Sequence, residues 1–323
     1  MTPNAGGRNR TASDVSQQSA VDIRTVVAFL GLTVAVSWGG VATLSVAGVD
    51  VGTGAGLGVA TLVFMGAPAL AAVAISILYR DSIRNACGLY LGRKRWIVLA
   101  WIAPLGLTAV MILVGVTVLG QSFTTEYSAF LLELDFTEEE AADTIADVEE
   151  TGIPVAVFLI GLALVLGGTL FALAGFGEEL GWRGLLLTEL APLGFWKLSL
   201  LTGLVWGIWH VPLILLGLQF PDDTILGIVS FTAATLALSP IYTYLTVRAR
   251  SVLAATFFHG SFVLGVFTWV FMADGSELVI SPVGLVGIVA ALVGVAACVG
   301  HDRLRADERI ITGDPLSPWS HTR

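Results

Sequence analysis

Eight apolar runs, each long enough to cross a lipid bilayer, follow one another along this chain of 323 residues. A transmembrane α-helix needs about 20 predominantly apolar residues to cross a hydrocarbon core of about 30 Å. The runs are continuous, whereas the strands of a transmembrane barrel would alternate apolar and polar positions. The sequence therefore predicts an all-α fold, a polytopic membrane helix bundle of about eight transmembrane helices. The runs lie at about 25–46, 55–79, 96–119, 153–176, 196–218, 225–247, 252–272 and 279–300.

Charged residues are scarce in this chain: they make up 13% of it, against about 25% in soluble domains. This excludes an ordinary soluble protein and indicates a multi-pass integral protein of the cell membrane, surrounded by the lipid bilayer. The net charge of -9 argues against nucleic acid as a partner, because nucleic-acid binding needs a basic surface. Cys87 and Cys298 lack the spacing of a disulfide framework or a thiolate metal site.

The positions of Arg and Lys predict the orientation of the bundle. If the N-terminus lies in the cytoplasm, all sixteen basic residues fall on the inner side and none in the outer segments. Because cytoplasmic segments carry an excess of Arg and Lys, both termini are expected in the cytoplasm. The outer segments hold fifteen of the twenty-five acidic residues.

The chain is expected to divide into three parts. Residues 1–22 are polar and rich in small residues, which predicts a disordered cytoplasmic tail. Residues 23–300 form the eight-helix transmembrane domain, and residues 301–323 form a second cytoplasmic tail. Within the domain, residues 120–152 form an acidic extracytoplasmic segment. Apolar residues that precede its EEEAAD run predict a short amphipathic helix at the membrane surface.

Five ionisable residues lie within or beside the apolar runs, where they are costly and by default mark function. They are Glu178, Glu179, Arg183, His210 and His259. On a helix, Glu179 and Arg183 stand four residues apart, the spacing at which a carboxylate and a guanidinium meet. Glu178 lies about 100° around the helix and stays free to act on water or a substrate as a general base.

The two histidines stand on separate predicted helices. Two His and a Glu can bind zinc or polarise one water molecule, so Glu178, His210 and His259 are the candidate metal ligands. The chain has no H-E-x-x-H motif, and the same three residues also support a metal-free mechanism. Whether a cofactor is present stays open; zinc is the metal that this set would hold.

These motifs resemble those of a known family. The EExxxR motif (Glu178, Glu179, Arg183), the aromatic-xxx-His element from Trp206 to His210, and a third helix with His259 are similar to the CPBP (CAAX protease and bacteriocin-processing, or Abi) intramembrane proteases. The resemblance covers residues 153–272, the expected catalytic region. It implies an eight-helix hydrolase, of the metallo- or glutamate type, with a conical cavity open toward the cytoplasm.

The resemblance also implies roles for the site residues. Glu178 would activate the attacking water, with support from Glu179 and Arg183, and His210 and His259 would orient that water or bind a metal. The substrate would be a membrane-associated or prenylated, CAAX-type peptide or protein.

Two positions depart from the family pattern. Trp206 stands where Phe is usual, an apolar aromatic exchange expected to be tolerated. Val263 stands where the third motif has an Asn placed to bind the oxyanion. Because such a donor contributes about 10²–10³ in rate, either Ser261 or a backbone group replaces it, or this chain is slow or inactive.

Two other functions are compatible with the same residues. One is a family member that has lost catalysis and acts as a membrane chaperone or partner-binding subunit. The other is an ion-coupled transporter that uses the buried carboxylates and histidines as a relay. The absence of an internal repeat in the sequence disfavours the transporter.

The depths of the candidate residues do not agree if every span is straight. Ending the fourth span near residue 176 makes residues 177–195 an inner loop and puts Glu178 near the inner boundary of the membrane. His210, in contrast, lies about 20 Å from Lys197 along its helix, at 1.5 Å per residue. A common site then requires the fourth helix to start higher, or the fifth to extend into the cytoplasm before it enters the membrane.

Overall fold

In the part of the chain that the structure describes, seven helical segments are long and apolar enough to cross a membrane, and there are up to eight spans if one sharply bent helix pair counts as a span. The structure, a computed structural model, describes residues 20–49, 54–80, 82–132, 134–272, 275–312 and 316–319. All regular secondary structure within these ranges is helical. This confirms an all-α bundle and a multi-pass integral membrane protein. Residues 1–19 of the expected N-terminal tail lie outside the described residues.

Sixteen α-helices follow one another in the described residues, and we number them in chain order. The first eight are α1 Ile23–Val46, α2 Gly54–Tyr79, α3 Ile83–Ala86, α4 Lys94–Thr117, α5 Ser128–Leu132, α6 Glu138–Glu150, α7 Val155–Gly168 and α8 Leu170–Glu179. The others are α9 Leu187–Leu190, α10 Gly194–Trp209, α11 Val211–Leu215, α12 Thr224–Ala249, α13 Val252–Ser261, α14 Phe267–Phe271, α15 Glu277–Ile280 and α16 Leu285–Leu304. A π-helix, Leu180–Leu186, links α8 to α9, and 3₁₀ turns at Ala191–Leu193 and Phe262–Val266 precede α10 and α14.

The expected loop at residues 177–195 is wrong. The chain continues in helical form from α8 through the π-helix to α9, and only the 3₁₀ turn at Ala191–Leu193 separates it from α10. Two glycines of this segment allow close packing: a Cβ on Gly181 would lie 2.6 Å from the Cβ of Pro68, and one on Gly184 would lie 2.9 Å from the carbonyl oxygen of Cys87. The predicted span at 153–176 is likewise two helices, α7 and α8, which are interrupted at Thr169.

The two ends of the bundle differ in charge. We call the end with Arg80, Arg93 to Arg95, Lys197 and Arg248 the basic end, and the end with residues 120–152, Asp222 and Asp223 the acidic end. Arg183 belongs to neither end, because it is fully buried within the bundle. The expected separation of charge otherwise holds among the described residues. Which end faces the cytoplasm stays a prediction.

The acidic segment contains two helices rather than one. The apolar residues Phe130 and Leu131 belong to α5 and pack in a core cluster with Phe267, whereas most of the acidic residues belong to α6. A capping box starts α6: the Thr137 hydroxyl accepts the amide of Glu140, and the Glu140 carboxylate accepts the amide of Thr137. Helices α6 and α7 meet at a bend of 114°.

The chain after α16 folds back over the basic end. The Leu316 amide donates to the carbonyl of Ala191 (3.1 Å), and the Trp319 indole donates to the hydroxyl of Thr188 (2.8 Å). The carboxylate of Asp302 pairs with Arg248 and accepts two backbone amides. The described part of residues 301–323 is therefore packed against the bundle.

Candidate active site

The two adjacent glutamates of the EExxxR motif lie at the C-terminal end of α8, in the middle of the bundle. Glu178 is 1% exposed and Glu179 is 0% exposed. The π-helix begins at the next residue; π-helical turns are rare and occur often at functional sites. The element that follows the glutamates is thus an irregular, fully buried helix and not a surface loop.

The carboxylate of Glu179 is held by two partners, Arg183 and His259. Arg183 Nη1 lies 3.2 Å from its Oε1 and 3.1 Å from its Oε2, so the predicted i, i+4 ion pair is present. His259 Nδ1 lies 2.8 Å from Oε1. An ionised carboxylate can accept a hydrogen bond but cannot donate one, so the proton of this bond is on Nδ1. Glu179 therefore fixes Arg183 and His259 and is not free to act on a substrate.

The guanidinium of Arg183 is enclosed by two aromatic rings. Its central carbon lies 4.5 Å from the ring centroid of Trp206 and 4.2 Å from that of Tyr242. Cation–π contact with a desolvated guanidinium is worth about 2 kcal/mol, and it replaces part of the hydration that the buried Arg183 lacks. The aromatic residues of α10 and α12 thereby hold the ion pair in place.

Glu178 has one partner among the described residues. The Trp206 indole Nε1–H donates a 2.7 Å hydrogen bond to its Oε2. Trp206 therefore does more than replace one apolar ring by another: its N–H orients the carboxylate, a contact that Phe could not make. The other oxygen of Glu178 remains available to a water molecule or substrate.

His210 lies between the end of α10 and the start of α11. Its Nδ1 lies 2.8 Å from the carbonyl oxygen of Trp206. Since a carbonyl oxygen can only accept a hydrogen bond, Nδ1 is the donor. The neutral ring then keeps a lone pair on Nε2. The imidazole also contacts the ring of Phe231, at 4.4 Å between centroids, which limits its rotation.

A cavity of about 260 Å³ joins Glu178, His210 and His259. Glu179 and Arg183 lie behind its wall. The structure thus brings all five predicted residues together, three at the cavity and two supporting them. The remaining lining residues are Thr61, Phe64, Met65, Trp206, Leu213, Gln219, Phe231, Thr235, Leu238, Tyr242, Phe262 and Val283.

The continued helix explains how these residues reach one level. Counting from the turn at Ala191–Leu193, Glu178 lies 15 residues back from Leu193 and His210 lies 16 residues on from Gly194. At 1.5 Å per residue both stand about 22–24 Å from that turn. The fourth predicted span therefore extends further toward the basic end than expected, which is neither of the two adjustments that the sequence suggested.

The cavity lies at mid-depth in the bundle and reaches toward the acidic end. On α12, which runs from the acidic end to the basic end, its lining residues extend from Phe231 to Tyr242, the central part of the helix. Gln219 and Val283, from connections at the acidic end, also line it. The resemblance implies a cytoplasmic opening, but the charge distribution puts the cytoplasm at the basic end. These two expectations therefore disagree for this cavity.

Sequence reasoning missed several polar residues of the cavity, among them Tyr242 and Gln219. Within the described residues, neither side chain has a hydrogen-bond partner. Tyr242 carries a usable signal, because it is a hydroxyl-bearing residue inside an apolar run, two residues after Pro240. Gln219 has no such signal, since it stands in a connection between helices.

The two residues considered in connection with the missing Asn do not line the cavity. Val263 packs with the core cluster around Phe267. Ser261 is fully buried and faces Gly167, where a Cβ would lie 3.0 Å from its Oγ. Ser261 is thus not placed to replace the Asn, and Tyr242 and Gln219 are the new candidates.

A three-ligand metal site is not formed by these side chains. Both histidines engage Nδ1 with an oxygen acceptor, which is the usual arrangement behind a metal-binding Nε2. However, among the described residues no group of three His, Cys, Asp or Glu side chains is close enough to hold one ion. The donor types fit zinc, and their placement does not.

Comparison with known proteins identifies the region that carries this site. Residues 159–265 match the family described as type II CAAX prenyl endopeptidase Rce1-like. The chain is also 32% identical over 96 residues to the CAAX prenyl protease 2 of Methanococcus maripaludis, a match that covers 28% of this chain. The matched part spans about a third (35%) of that relative's length. These matches confirm the resemblance to the CPBP proteases.

Proposed function

We propose that this chain, with its Rce1-like region at residues 159–265, is an intramembrane endopeptidase that cleaves prenylated, CAAX-type peptides or proteins. The observation that carries the proposal is the hydrogen-bonded carboxylate of Glu178 in a cavity shared with His210 and His259. The comparisons support CAAX-type proteolysis in general. The substrate and the roles of the residues are our inference.

The lining of the cavity fits an apolar substrate. Most of its wall comes from apolar side chains, such as Phe64, Leu213 and Phe262, with a few polar groups that can orient the scissile bond. Ligand sites usually combine these two features. The apolar part of this wall would contact the lipid group of a lipid-modified peptide.

In the proposed reaction, Glu178 accepts a proton from a water molecule as the water oxygen attacks the scissile carbonyl carbon. The carbonyl oxygen becomes the oxyanion of a tetrahedral intermediate. The C–N bond then breaks, the protonated Glu178 returns its proton to the leaving nitrogen, and a carboxylic acid and an amine result. Trp206 orients the carboxylate for both transfers, which is the geometric requirement for general acid–base catalysis.

His210 is proposed to position the attacking water. Its Nδ1–H donates a hydrogen bond to the carbonyl of Trp206, so that Nε2 is free to accept a hydrogen bond from the second O–H of the water. Water held between Glu178 and His210 is thereby oriented toward the substrate. Such orientation can supply several kcal/mol of the barrier reduction.

The pair of Glu179 and Arg183 is proposed to position His259 and to keep Glu178 aligned. The Tyr242 hydroxyl is proposed to donate a hydrogen bond to the oxyanion. It would take the role of the Asn that the family pattern has at the position of Val263. Tyr242 lines the same cavity, and its hydroxyl has no hydrogen-bond partner among the described residues. A preorganised donor of this type stabilises developing charge without reorganisation.

We propose that these residues act without a metal. Were zinc present, Glu178, His210 and His259 would have to move together to hold it, and it would supply Lewis-acid polarisation. Elemental analysis of purified protein, with activity measured after chelator treatment, distinguishes a metal-free mechanism from a zinc-dependent one. One tightly held zinc per chain, required for cleavage, would contradict the metal-free proposal.

The experiment that tests the proposed function uses the purified full chain in proteoliposomes. A farnesylated peptide that ends in a CAAX sequence is added, and the products are identified by mass spectrometry. We expect release of the C-terminal tripeptide and no cleavage of the same peptide without the farnesyl group. Binding of the prenylated peptide without cleavage would favour the partner-binding alternative, and ion flux in the same vesicles would favour the transporter.

A further inference from the structure

A second cavity lies on the opposite side of α12 and α13 from the candidate active site. It is an apolar groove of about 380 Å³ between α4, α12 and α16. The two cavities use neighbouring residues of the same helices: Ile241 and Phe258 line the groove, whereas Tyr242 and His259 line the active-site cavity. The groove faces outward, because Leu99 and Val293 on its rim are 43% and 48% exposed.

The groove has the length of a lipid chain. On α4 its lining extends from Trp96 to Val110, which is about 21 Å at 1.5 Å per residue. Half of a bilayer's hydrocarbon core is about 15 Å. One chain of a membrane lipid could therefore lie along the groove from the headgroup region of one leaflet to the middle of the bilayer.

The groove opens into a charged cavity at the basic end. This cavity, of about 840 Å³, shares Trp96, Leu99 and His301 with the groove. It is also lined by Arg93, Arg95 and Arg305.

The three arginines carry an excess of positive charge. Among the described residues, none of their guanidinium groups has an ion-pair partner. Burial lowers the pKa of Arg93, and the neighbouring Arg250 and Arg95 lower it further, as expected for cations that lack sufficient counter-charge.

Acidic groups do not neutralise this cavity. Asp307 and Glu308 line it, but Glu308 already forms an ion pair with Arg250, at 3.7 Å between Oε2 and Nη2. Arg248, the fourth arginine of the cavity, is paired with Asp302. The charge balance of the cavity therefore favours an anionic ligand.

A buried donor without a partner marks the junction of the two cavities. Trp96 lines both and is 7% exposed, and within the described residues its indole Nε1–H has no hydrogen-bond partner. A buried donor without an acceptor destabilises the fold, and an oxygen atom of a ligand at the junction would accept this hydrogen bond.

We propose that the groove and the adjoining arginine cavity form a binding site for one anionic lipid of the surrounding bilayer. Its phosphate lies among Arg93, Arg95 and Arg305, an oxygen near the headgroup accepts the Trp96 N–H, and one hydrocarbon chain lies in the groove. Basic pockets between transmembrane helices bind anionic headgroups in this way. The proposal does not depend on the proposed protease activity.

Native mass spectrometry of the full chain, released from detergent with added lipid, tests this proposal. We expect one phosphatidylglycerol to be retained, and phosphatidylcholine to bind at least tenfold more weakly. The double variant Arg93→Gln/Arg95→Gln should bind phosphatidylglycerol about 10- to 30-fold more weakly. Lys197→Gln is the matched control, because it removes an exposed charge at the same end of the bundle and should have no effect.

A second pair of variants tests the groove. A side chain at Gly106, which lines the groove, would meet nothing within 4 Å; Gly106→Leu should therefore fill the groove without disturbing the helix and abolish lipid retention. Gly31→Leu, also in open space but outside the groove, is the control. Thermal unfolding of each variant verifies the fold.

Three outcomes would overturn the proposal. These are equal retention of both lipids, unchanged retention by Gly106→Leu, and full competition by soluble glycerol phosphate. The last would show a phosphate site instead of a lipid site.

Discussion

The indole N–H of Trp206 donates a 2.7 Å hydrogen bond to the carboxylate of Glu178, across the contact between α10 and the end of α8. The same tryptophan accepts Arg183 on its ring face and the Nδ1–H of His210 at its backbone carbonyl. One residue thus joins the proposed base, its supporting ion pair and the histidine that positions the water. Its effect on each of them can be measured separately.

Replacing Trp206 by Phe should lower kcat and leave KM nearly unchanged. The variant keeps an aromatic ring against Arg183 but loses the donor to Glu178, and a hydrogen bond to a charged group is worth about 1.5–3 kcal/mol, or roughly tenfold or more in rate. Steady-state cleavage kinetics of a prenylated peptide measure this. An equal kcat for Trp206→Phe and the native chain would show that the hydrogen bond does not position Glu178.

Removing Arg183 alone should destabilise the bundle more than removing both members of its ion pair. Arg183→Met leaves Glu179 buried without its cation, at a cost of about 3–5 kcal/mol in the free energy of unfolding. The double variant Glu179→Gln/Arg183→Met avoids the uncompensated charge and should recover part of that loss. Thermal unfolding in detergent compares them, with Lys197→Met as the exposed control. Additive effects would mean that the two side chains are not coupled.

Tyr242→Phe should lower kcat by about 10²-fold if the hydroxyl binds the oxyanion. The ring that contacts Arg183 is retained, so the fold should not change. Tyr244→Phe is the matched control: it lies on the same helix but lines the apolar groove, and its kcat should stay at the native value. If Tyr242→Phe also cleaves at the native rate, another donor of the cavity, such as Gln219, supplies the oxyanion contact.

The side of the membrane that the acidic end faces can be determined by cysteine labelling. The charge distribution predicts the acidic end outside. In a background with Cys87→Ser and Cys298→Ala, a membrane-impermeant maleimide should label Glu139→Cys in intact cells and Arg309→Cys only after lysis. The opposite pattern would put the acidic end, which the cavity reaches, on the cytoplasmic side, in agreement with the cytoplasmic opening that the family resemblance implies, and the charge rule would fail for this chain.

Most of the fold follows from the sequence because each long apolar run must form a helix in lipid. The ion pair of Glu179 and Arg183 also follows, since it depends only on helical spacing. These features rest on local periodicity, which a single sequence displays directly.

The continuation of the fourth helix could not be predicted in the same way. Charges and glycines between residues 177 and 190 are typical of a loop between two membrane spans. They fit a helix inside the bundle only because the surrounding helices bury them. Gly177, for example, lies against α2, where a Cβ would stand 2.6 Å from the carbonyl oxygen of Met65. The role of Tyr242 likewise depends on which face of α12 meets Arg183, and that contact is set by tertiary packing.

The most direct test of the central claim is the rate at which Glu178→Gln cleaves a farnesylated CAAX peptide. The amide can still accept the Trp206 hydrogen bond but cannot take a proton from water, so we predict a loss of at least about 10³-fold in kcat, with an unchanged thermal unfolding midpoint. Glu139→Gln, the same exchange on the surface of α6, should cleave at the native rate. Cleavage by Glu178→Gln at the native rate would contradict the account.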